Sequence, residues 1–167
     1  MNQGLFITPM RKQLIMLLCI SVGMAVGSFF FEHIIGLHNC HLCIFQRNIA
    51  IVLSAILLVF IIHDPADYKR RLYALILMLI SVFGVIFAGR HAWIQTFQTE
   101  KIANCDPSLS ILMERLPIST LIERVFYGNG ECSQSLTTFL GLTIPSWSFL
   151  LYLFFYLFSL KILIRNK

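Results

Sequence analysis

The sequence predicts an all-α membrane protein: a four-transmembrane-helix bundle with one long loop. Of its 167 residues, 57% are hydrophobic and only 13% are charged, with a mean hydropathy of +0.79. Soluble domains carry roughly 25% charged residues. Four apolar stretches also have the length needed to cross a bilayer, which takes about 20 helical residues and at least about 17. Such segments must be helical, because a lone strand in lipid would leave its backbone groups unpaired.

Each of the four predicted helices is an apolar run of residues with almost no charge. The first such run could also be a signal peptide, because Arg11-Lys12 precede it, but it continues through Phe31 and is longer than a usual signal core. We therefore expect it to remain as a helix in a single integral membrane domain spanning 1–167. The helices are expected at about residues 14–31, 44–62, 72–89 and 144–164.

The basic residues predict the orientation, since Lys and Arg concentrate on cytoplasmic loops. Eight of the thirteen would share one side, which places both termini in the cytoplasm. The net charge of +5 is then a topology signal, because no basic cluster with interleaved aromatic residues indicates nucleic-acid binding. These eight residues are Arg11, Lys12, Lys69, Arg70, Arg71, Lys161, Arg165 and Lys167.

The predicted outer loop, residues 90–143, is too polar to span a membrane and too long for a simple turn. Residues 108–126 carry spaced apolar side chains interrupted by Pro117. This pattern predicts one or two short amphipathic helices on the membrane surface. A small soluble cap packed on the bundle is the alternative.

Four of the five cysteines fall on the predicted outer side: Cys40, Cys43, Cys105 and Cys132. In a bacterial-type cell that side is oxidising, and disulfides form and persist there. Cys19 lies within the first predicted helix, where we expect a small, buried and inert apolar residue. The segregation of the other four indicates thiol chemistry on the outer face.

The segment Cys40-His41-Leu42-Cys43 places two thiols where the second helix begins. A helix N-terminus and a nearby cation both favour a thiolate. Arg47 follows Cys43 by four residues and therefore lies on the same helix face, where it can stabilise a thiolate or donate to an acceptor in the membrane. In the alternative interpretation, Arg47 extends to the head groups and the cysteines form a structural disulfide. A CxxC loop constrains few residues, so it is a poor structural cross-link, and a redox pair is favoured.

A metal site is a further alternative, because His38 and His41 flank the same cysteines. Ligation by the adjacent Cys40 and His41 is sterically awkward, and no second CxxC completes a usual zinc pattern. We expect no metal.

Two polar segments lie at the predicted outer ends of the first and third helices. Glu32-His33 is expected to be solvated at the interface. His91 is expected at a membrane depth near that of Arg47. A histidine in this position is often only an interfacial residue. Its ability to carry a proton near neutral pH nevertheless makes His91 a candidate site residue.

Two pairs of small residues predict close helix packing, Gly23 with Gly27 and Gly84 with Ala88. The first pair could serve dimerisation, but packing within the bundle is the favoured interpretation.

Several motifs resemble the disulfide bond formation protein B (DsbB) family, in family order and over nearly the whole chain. They are Phe31-Glu32-His33, Cys40 to Arg47, Asn104-Cys105-Asp106, Gly130-Glu131-Cys132 and Leu140-Gly141-Leu142 with Pro145-Ser146-Trp147. The resemblance implies a bacterial inner-membrane oxidase with its cysteine pairs facing the periplasm. Such an enzyme reoxidises a DsbA-like periplasmic thioredoxin-fold oxidase and passes the electrons to a membrane quinone, either ubiquinone or menaquinone.

The resemblance also implies roles for individual residues. Cys105 and Cys132 match the loop pair that exchanges with the partner, and Cys40 and Cys43 match the pair that regenerates it. Cys43 would be the thiolate beside the quinone, Arg47 would support the quinone, and His91 matches a histidine near that site. The chain departs from the family pattern at Asn39 and His41, which puts the redox potential of the CxxC pair in question.

Three other functions stay open. A vitamin K epoxide reductase-like enzyme also combines four helices, a CxxC and a quinone, but its CxxC usually falls late in the chain. The protein could also be a paralogue dedicated to one substrate. A non-catalytic membrane scaffold with two structural disulfides is the third.

Overall fold

A computed structural model describes residues 9–34, 41–63, 67–97 and 138–165, together with residues 114, 117, 119 and 120. Within these residues, four helices are long and apolar enough to cross a membrane. The predicted four-helix membrane fold is therefore confirmed. The helices are α1 (Pro9–His33), α2 (His41–His63), α3 (Asp67–Phe97) and α4 (Ile144–Arg165).

All four helices extend past the apolar runs that predicted them. The largest difference is at the end of α3, where residues 90–97 are helical although the sequence assigned them to the outer loop. The helix continues because its last turns still bury one face, with His91, Ile94 and Gln95 all inside the bundle. The predicted amphipathic segment 108–126 lies largely outside the described residues and stays a prediction.

The helices pack in chain order, α1 on α2 and α2 on α3, with the most extensive packing between α3 and α4. In lipid the hydrophobic effect contributes little to association between helices, so close packing and hydrogen bonds hold such a bundle together. Large apolar side chains such as Val26, Ile62 and Phe83 are exposed, as a lipid-facing surface requires. The buried core contains Leu14, Leu17, Leu53, Leu57, Phe60, Leu77, Ala88, Tyr152 and Phe155.

Gly84 permits the closest approach between α3 and α4. A Cβ built at this position would lie 2.6 Å from Cγ and 2.8 Å from Cε1 of Tyr152. The Tyr152 ring therefore occupies the space that any other residue at position 84 would need. This confirms the predicted packing face on α3.

The small residues of α1 do not behave as predicted. Among the described residues, a Cβ at Gly23 or Gly27 would meet nothing within 4 Å, so neither glycine permits a close approach by one of the other three helices. Cys19 is also exposed on α1 rather than buried, although it is a free thiol as expected. The prediction failed for these positions because spacing along one helix does not say which face meets a neighbour.

A short hairpin leads into α4. Thr138–Phe139 pairs antiparallel with Leu142–Thr143, and the connecting residues Leu140 and Gly141 have φ values of 53° and 81°. Positive φ at both central positions is typical of a type I′ turn, for which glycine is well suited. Thr143 then precedes α4, where its hydroxyl lies 2.8 Å from that of Ser146.

Candidate functional site

A cavity of about 260 Å³ lies at the end of the bundle where α1 and α3 finish and α2 and α4 start. An apolar cavity of about 150 Å³ can hold benzene, so this volume is sufficient for a substituted six-membered ring. Its walls are largely apolar and come from all four helices. The polar side chains on its lining include Glu32, Cys43, Gln46, Arg47, His91 and Tyr152.

Three of the six predicted site residues meet at this cavity. Cys43 lies in the first turn of α2, and its Sγ is 3.9 Å from Nδ1 of His91 on α3. Arg47 lines the same cavity one turn further along α2. The other three, Cys40, Cys105 and Cys132, lie outside the described residues, so their roles stay predictions.

Arg47 points into the protein rather than toward the head groups. Its side chain is only 12% exposed and forms an ion pair with Glu32 at the end of α1. The guanidinium carbon also lies 4.2 Å from the centre of the Phe29 ring, a cation–π contact. Its Nε is buried and has no hydrogen-bond partner among the described residues. The extended, solvated arginine of the alternative interpretation is therefore wrong.

Glu32 was expected to be solvated, yet its side chain is only 20% exposed and lines the cavity. The signal that would have identified it is its charge. Acidic and basic side chains at membrane depth almost always pair with one another, and Arg47 lies at the adjacent end of the next helix.

A buried polar network surrounds His91 and includes two glutamines that the sequence analysis missed. Gln46 Nε2 lies 3.2 Å from His91 Nδ1 and donates to the Phe87 carbonyl at 3.4 Å. The Gln95 amide lies 3.4 Å from His91 Nε2. Tyr152 donates a 2.6 Å hydrogen bond to the backbone carbonyl of Gln46, which ties α4 to α2. The only available signal was a glutamine inside an apolar helix, three residues after Cys43.

The arrangement brings together a thiol, an imidazole and a guanidinium whose charge is offset by a carboxylate. An imidazole near neutral pH can accept a thiol proton, and a nearby cation favours the resulting thiolate. The apolar walls keep the site poor in water, which strengthens these electrostatic effects. The geometry suits thiol redox chemistry on an acceptor held in the membrane.

Comparison with known proteins bears on this chemistry. The sequence model of the family "Disulfide bond formation protein DsbB" matches residues 10–162. The chain belongs to the DsbB family. This membership identifies it as a multi-pass membrane protein of disulfide bond formation with a redox role, and it favours the DsbB resemblance over the vitamin K epoxide reductase-like alternative.

Individual relatives agree with the DsbB assignment. The chain is 33% identical over 131 residues to disulfide bond formation protein B of Nitrosococcus oceani, covering 78% of each protein. It is 35% identical over 145 residues to the protein of that name from Acinetobacter baumannii, covering 86% of this chain and 84% of the relative. For the protein from Stutzerimonas stutzeri, identity is 39% over 123 residues, 74% of this chain and 76% of the relative.

Proposed function

We propose that this DsbB-family protein is a thiol:quinone oxidoreductase. It reoxidises a DsbA-like periplasmic dithiol oxidase, passes the electrons to a membrane quinone, and so sustains disulfide formation. The observation that supports this most directly is the convergence of Cys43, Arg47 and His91 on one cavity between membrane-spanning helices.

The residues at the cavity fit a quinone. A quinone ring is flat and apolar and carries carbonyl oxygens that only accept hydrogen bonds. The buried Nε–H of Arg47 is a donor without a partner among the described residues, and donors of this kind suit a carbonyl group. Arg47 and His91 would hold the ring beside Cys43. When bound, the quinone supplies a two-electron acceptor that becomes a quinol on taking up two electrons and two protons.

The four cysteines would carry those electrons in two thiol–disulfide exchanges. A thiolate of the reduced partner attacks the disulfide between Cys105 and Cys132, and the partner's second thiol resolves the mixed disulfide. The partner leaves oxidised, and the loop pair becomes a dithiol. The loop dithiol then reduces the Cys40–Cys43 disulfide in the same manner, so each exchange moves two electrons and two protons.

Cys43 is the sulfur that faces the cavity, and the side chains around the cavity favour formation of its thiolate. His91 is placed to receive the thiol proton, since its Nδ1 lies 3.9 Å from Sγ. Arg47 supports negative charge at the cavity, while Glu32 offsets the arginine and keeps the pair close to neutral. The Cys43–His91 contact therefore allows the thiolate to form where water is scarce.

The decisive variant is Cys43→Ala. We expect it to abolish quinone reduction by a reduced DsbA-like protein, because no other described cysteine lines the cavity. Turnover is followed by quinone absorbance with the purified protein in detergent or nanodiscs, using ubiquinone and menaquinone in separate assays. Cys19→Ala is the matched control and should retain full turnover, since Cys19 is exposed on α1 away from the cavity. Undiminished turnover in Cys43→Ala would refute the proposed reaction.

A further inference from the structure

Gln46 has no role in the proposed reaction, yet its side chain makes two polar contacts inside the bundle. It is buried, with 7% of its surface exposed. Its amide contacts α3 twice, at the backbone carbonyl of Phe87 and at the side chain of His91. A buried amide in a membrane helix is costly unless it is hydrogen-bonded. The two contacts with α3 therefore offset the cost of burying this amide.

The Phe87 carbonyl determines which way the Gln46 amide faces. A carbonyl oxygen only accepts hydrogen bonds, so the group opposite it must be the NH₂ of the amide. The reversed amide would place two oxygens against each other. The same NH₂ group lies 3.2 Å from His91 Nδ1, and its second hydrogen is available to that nitrogen.

This orientation constrains the imidazole. Because the NH₂ group of Gln46 can only donate, Nδ1 must accept, and the ring proton must lie on Nε2. A neutral imidazole has one N–H, so the two glutamine amides beside it cannot both donate. Gln46 is held by Phe87, so the amide that must accept is that of Gln95. The structure places the Gln95 NH₂ group 3.4 Å from Nε2, and a half-turn of this amide, which exchanges a nitrogen and an oxygen of similar size, brings its oxygen to Nε2–H.

Cys43 competes with Gln46 for the same nitrogen. Nδ1 has a single lone pair, and Cys43 Sγ lies 3.9 Å from it. The other ionisable groups at the cavity are the Glu32–Arg47 pair from α1 and α2 and Tyr152 from α4. Among the described residues, none of these groups lies closer to Nδ1 than Gln46 does, and the glutamine amide and the Cys43 thiol are the two donors placed beside this nitrogen.

We infer that Gln46 is a positioning residue that holds His91 as the neutral tautomer protonated on Nε2, and so withholds Nδ1 from the Cys43 thiol until the amide moves away. The transfer that follows moves one proton from Cys43 to His91 and leaves a thiolate and an imidazolium, with no change in oxidation state. The tautomer follows from the contacts alone, whereas its consequence for turnover depends on the proposed function.

The tautomer is measured directly by nitrogen NMR of the full-length protein labelled with ¹⁵N-histidine in nanodiscs. The two ring nitrogens are distinguished by their couplings to the ring protons, and His91→Asn identifies the resonances among the five histidines. We expect bare Nδ1 and protonated Nε2 at neutral pH. Protonated Nδ1 in the unmodified protein would overturn the inference.

Gln46→Met tests the cause of that state. Methionine has a similar volume but no donor, and the Tyr152 hydrogen bond goes to the backbone carbonyl at position 46, so the bundle should still fold. We expect the tautomer ratio to move by about fivefold toward protonated Nδ1, which is the effect of losing one ordinary hydrogen bond. Asn48→Leu is the matched control, because it removes an exposed amide from the same helix and should leave His91 unchanged. An unchanged ratio in Gln46→Met would show that Gln46 does not select the tautomer.

The thiol provides the second readout. In the reduced protein, peptide mapping after brief maleimide treatment reports the alkylation rate of Cys43 alone. We expect Gln46→Met to raise this rate severalfold near neutral pH, because in the molecules whose His91 keeps its proton on Nε2 the amide no longer occupies Nδ1, and this nitrogen can accept the thiol proton. An unchanged rate would overturn the withholding of Nδ1. Neither measurement involves a quinone, so failure of the proposed reaction, seen in Cys43→Ala, is separate from failure of this inference.

Discussion

At the scale of single residues, the Glu32–Arg47 ion pair is what allows a full positive charge to remain beside an apolar cavity. An unpaired arginine at the centre of a membrane helix costs about 2.5 to 3.5 kcal/mol by insertion scales. Here the charge is offset by Glu32 and by the Phe29 ring. The pair leaves Nε of Arg47 as the donor still available, among the described residues, to an acceptor in the cavity.

Arg47→Ala should raise the apparent KM for the quinone by roughly tenfold or more, which corresponds to one lost charge-assisted hydrogen bond. The single variant also leaves Glu32 buried without its partner, and breaking a buried ion pair in this way is strongly destabilising. The double variant Glu32→Gln with Arg47→Ala avoids that cost, so thermal unfolding of the two proteins separates stability from binding.

The control for the arginine is Lys69→Ala, which removes an exposed positive charge at the opposite end of the bundle. Steady-state kinetics over a range of quinone concentrations should show an unchanged KM in this control. If the double variant also retained the original KM, Arg47 would have no role in holding the quinone.

At the scale of helices, the existence of each element could be predicted from the sequence, but its ends could not. An apolar run of membrane length leaves the backbone no alternative to a helix. At the end of α3 the run stops at Gly89, yet the helix continues to Phe97 because His91 and Gln95 are buried by neighbouring helices. That burial depends on tertiary packing, and a residue-by-residue hydropathy pattern does not contain it.

The same distinction applies to the site. Cys43 and Arg47 are four residues apart on one helix, so their common face followed from helix geometry, and His91 followed from its depth at the end of α3. Gln46 and Glu32 were missed because their importance comes from what faces them. Gln46 matters because Phe87 and His91 lie opposite it, and neither contact can be predicted from the sequence near position 46.

Gly84→Ala should destabilise the bundle by about 1 to 3 kcal/mol, the usual cost of an extra methyl group in a well-packed interior. The added Cβ would lie under 3 Å from the Tyr152 ring, which must move and carries its hydrogen bond to Gln46 with it. Thermal unfolding in detergent measures the loss.

Gly23→Ala is the matched control for this substitution. It makes the same change within a membrane-spanning helix, but its new Cβ meets no described residue within 4 Å, so stability should not fall. Equal stability losses for the two variants would mean that helix flexibility, rather than contact with Tyr152, explains the effect.

At the scale of the whole molecule, the proposed reaction needs two parts with opposite requirements. The Cys43 cavity must lie in the membrane to meet a lipid-soluble acceptor, while the thiols that meet a soluble partner must reach into water. The chain places Cys105 and Cys132 in the long segment between α3 and α4, whose ends are fixed by the two helices that pack most extensively. The distribution of basic residues predicts that this segment faces the periplasm.

Cells carrying Cys105→Ala or Cys132→Ala should accumulate a mixed disulfide between the remaining loop cysteine and the partner. With one cysteine of the pair removed, the loop disulfide cannot form, and the remaining thiol attacks the disulfide of the oxidised partner. The neighbouring loop cysteine can no longer release this adduct, and rapid acid quenching followed by alkylation stops the partner's second thiol from doing so. The adduct is detected as a band of higher mass on non-reducing gels that disappears with dithiothreitol, and mass spectrometry identifies the partner as a thioredoxin-fold protein.

A single adduct would indicate an oxidase dedicated to one partner, and several would indicate a general one. Cys19→Ala should form none, and if both loop variants also formed none, the loop cysteines would not be the site of exchange with a partner.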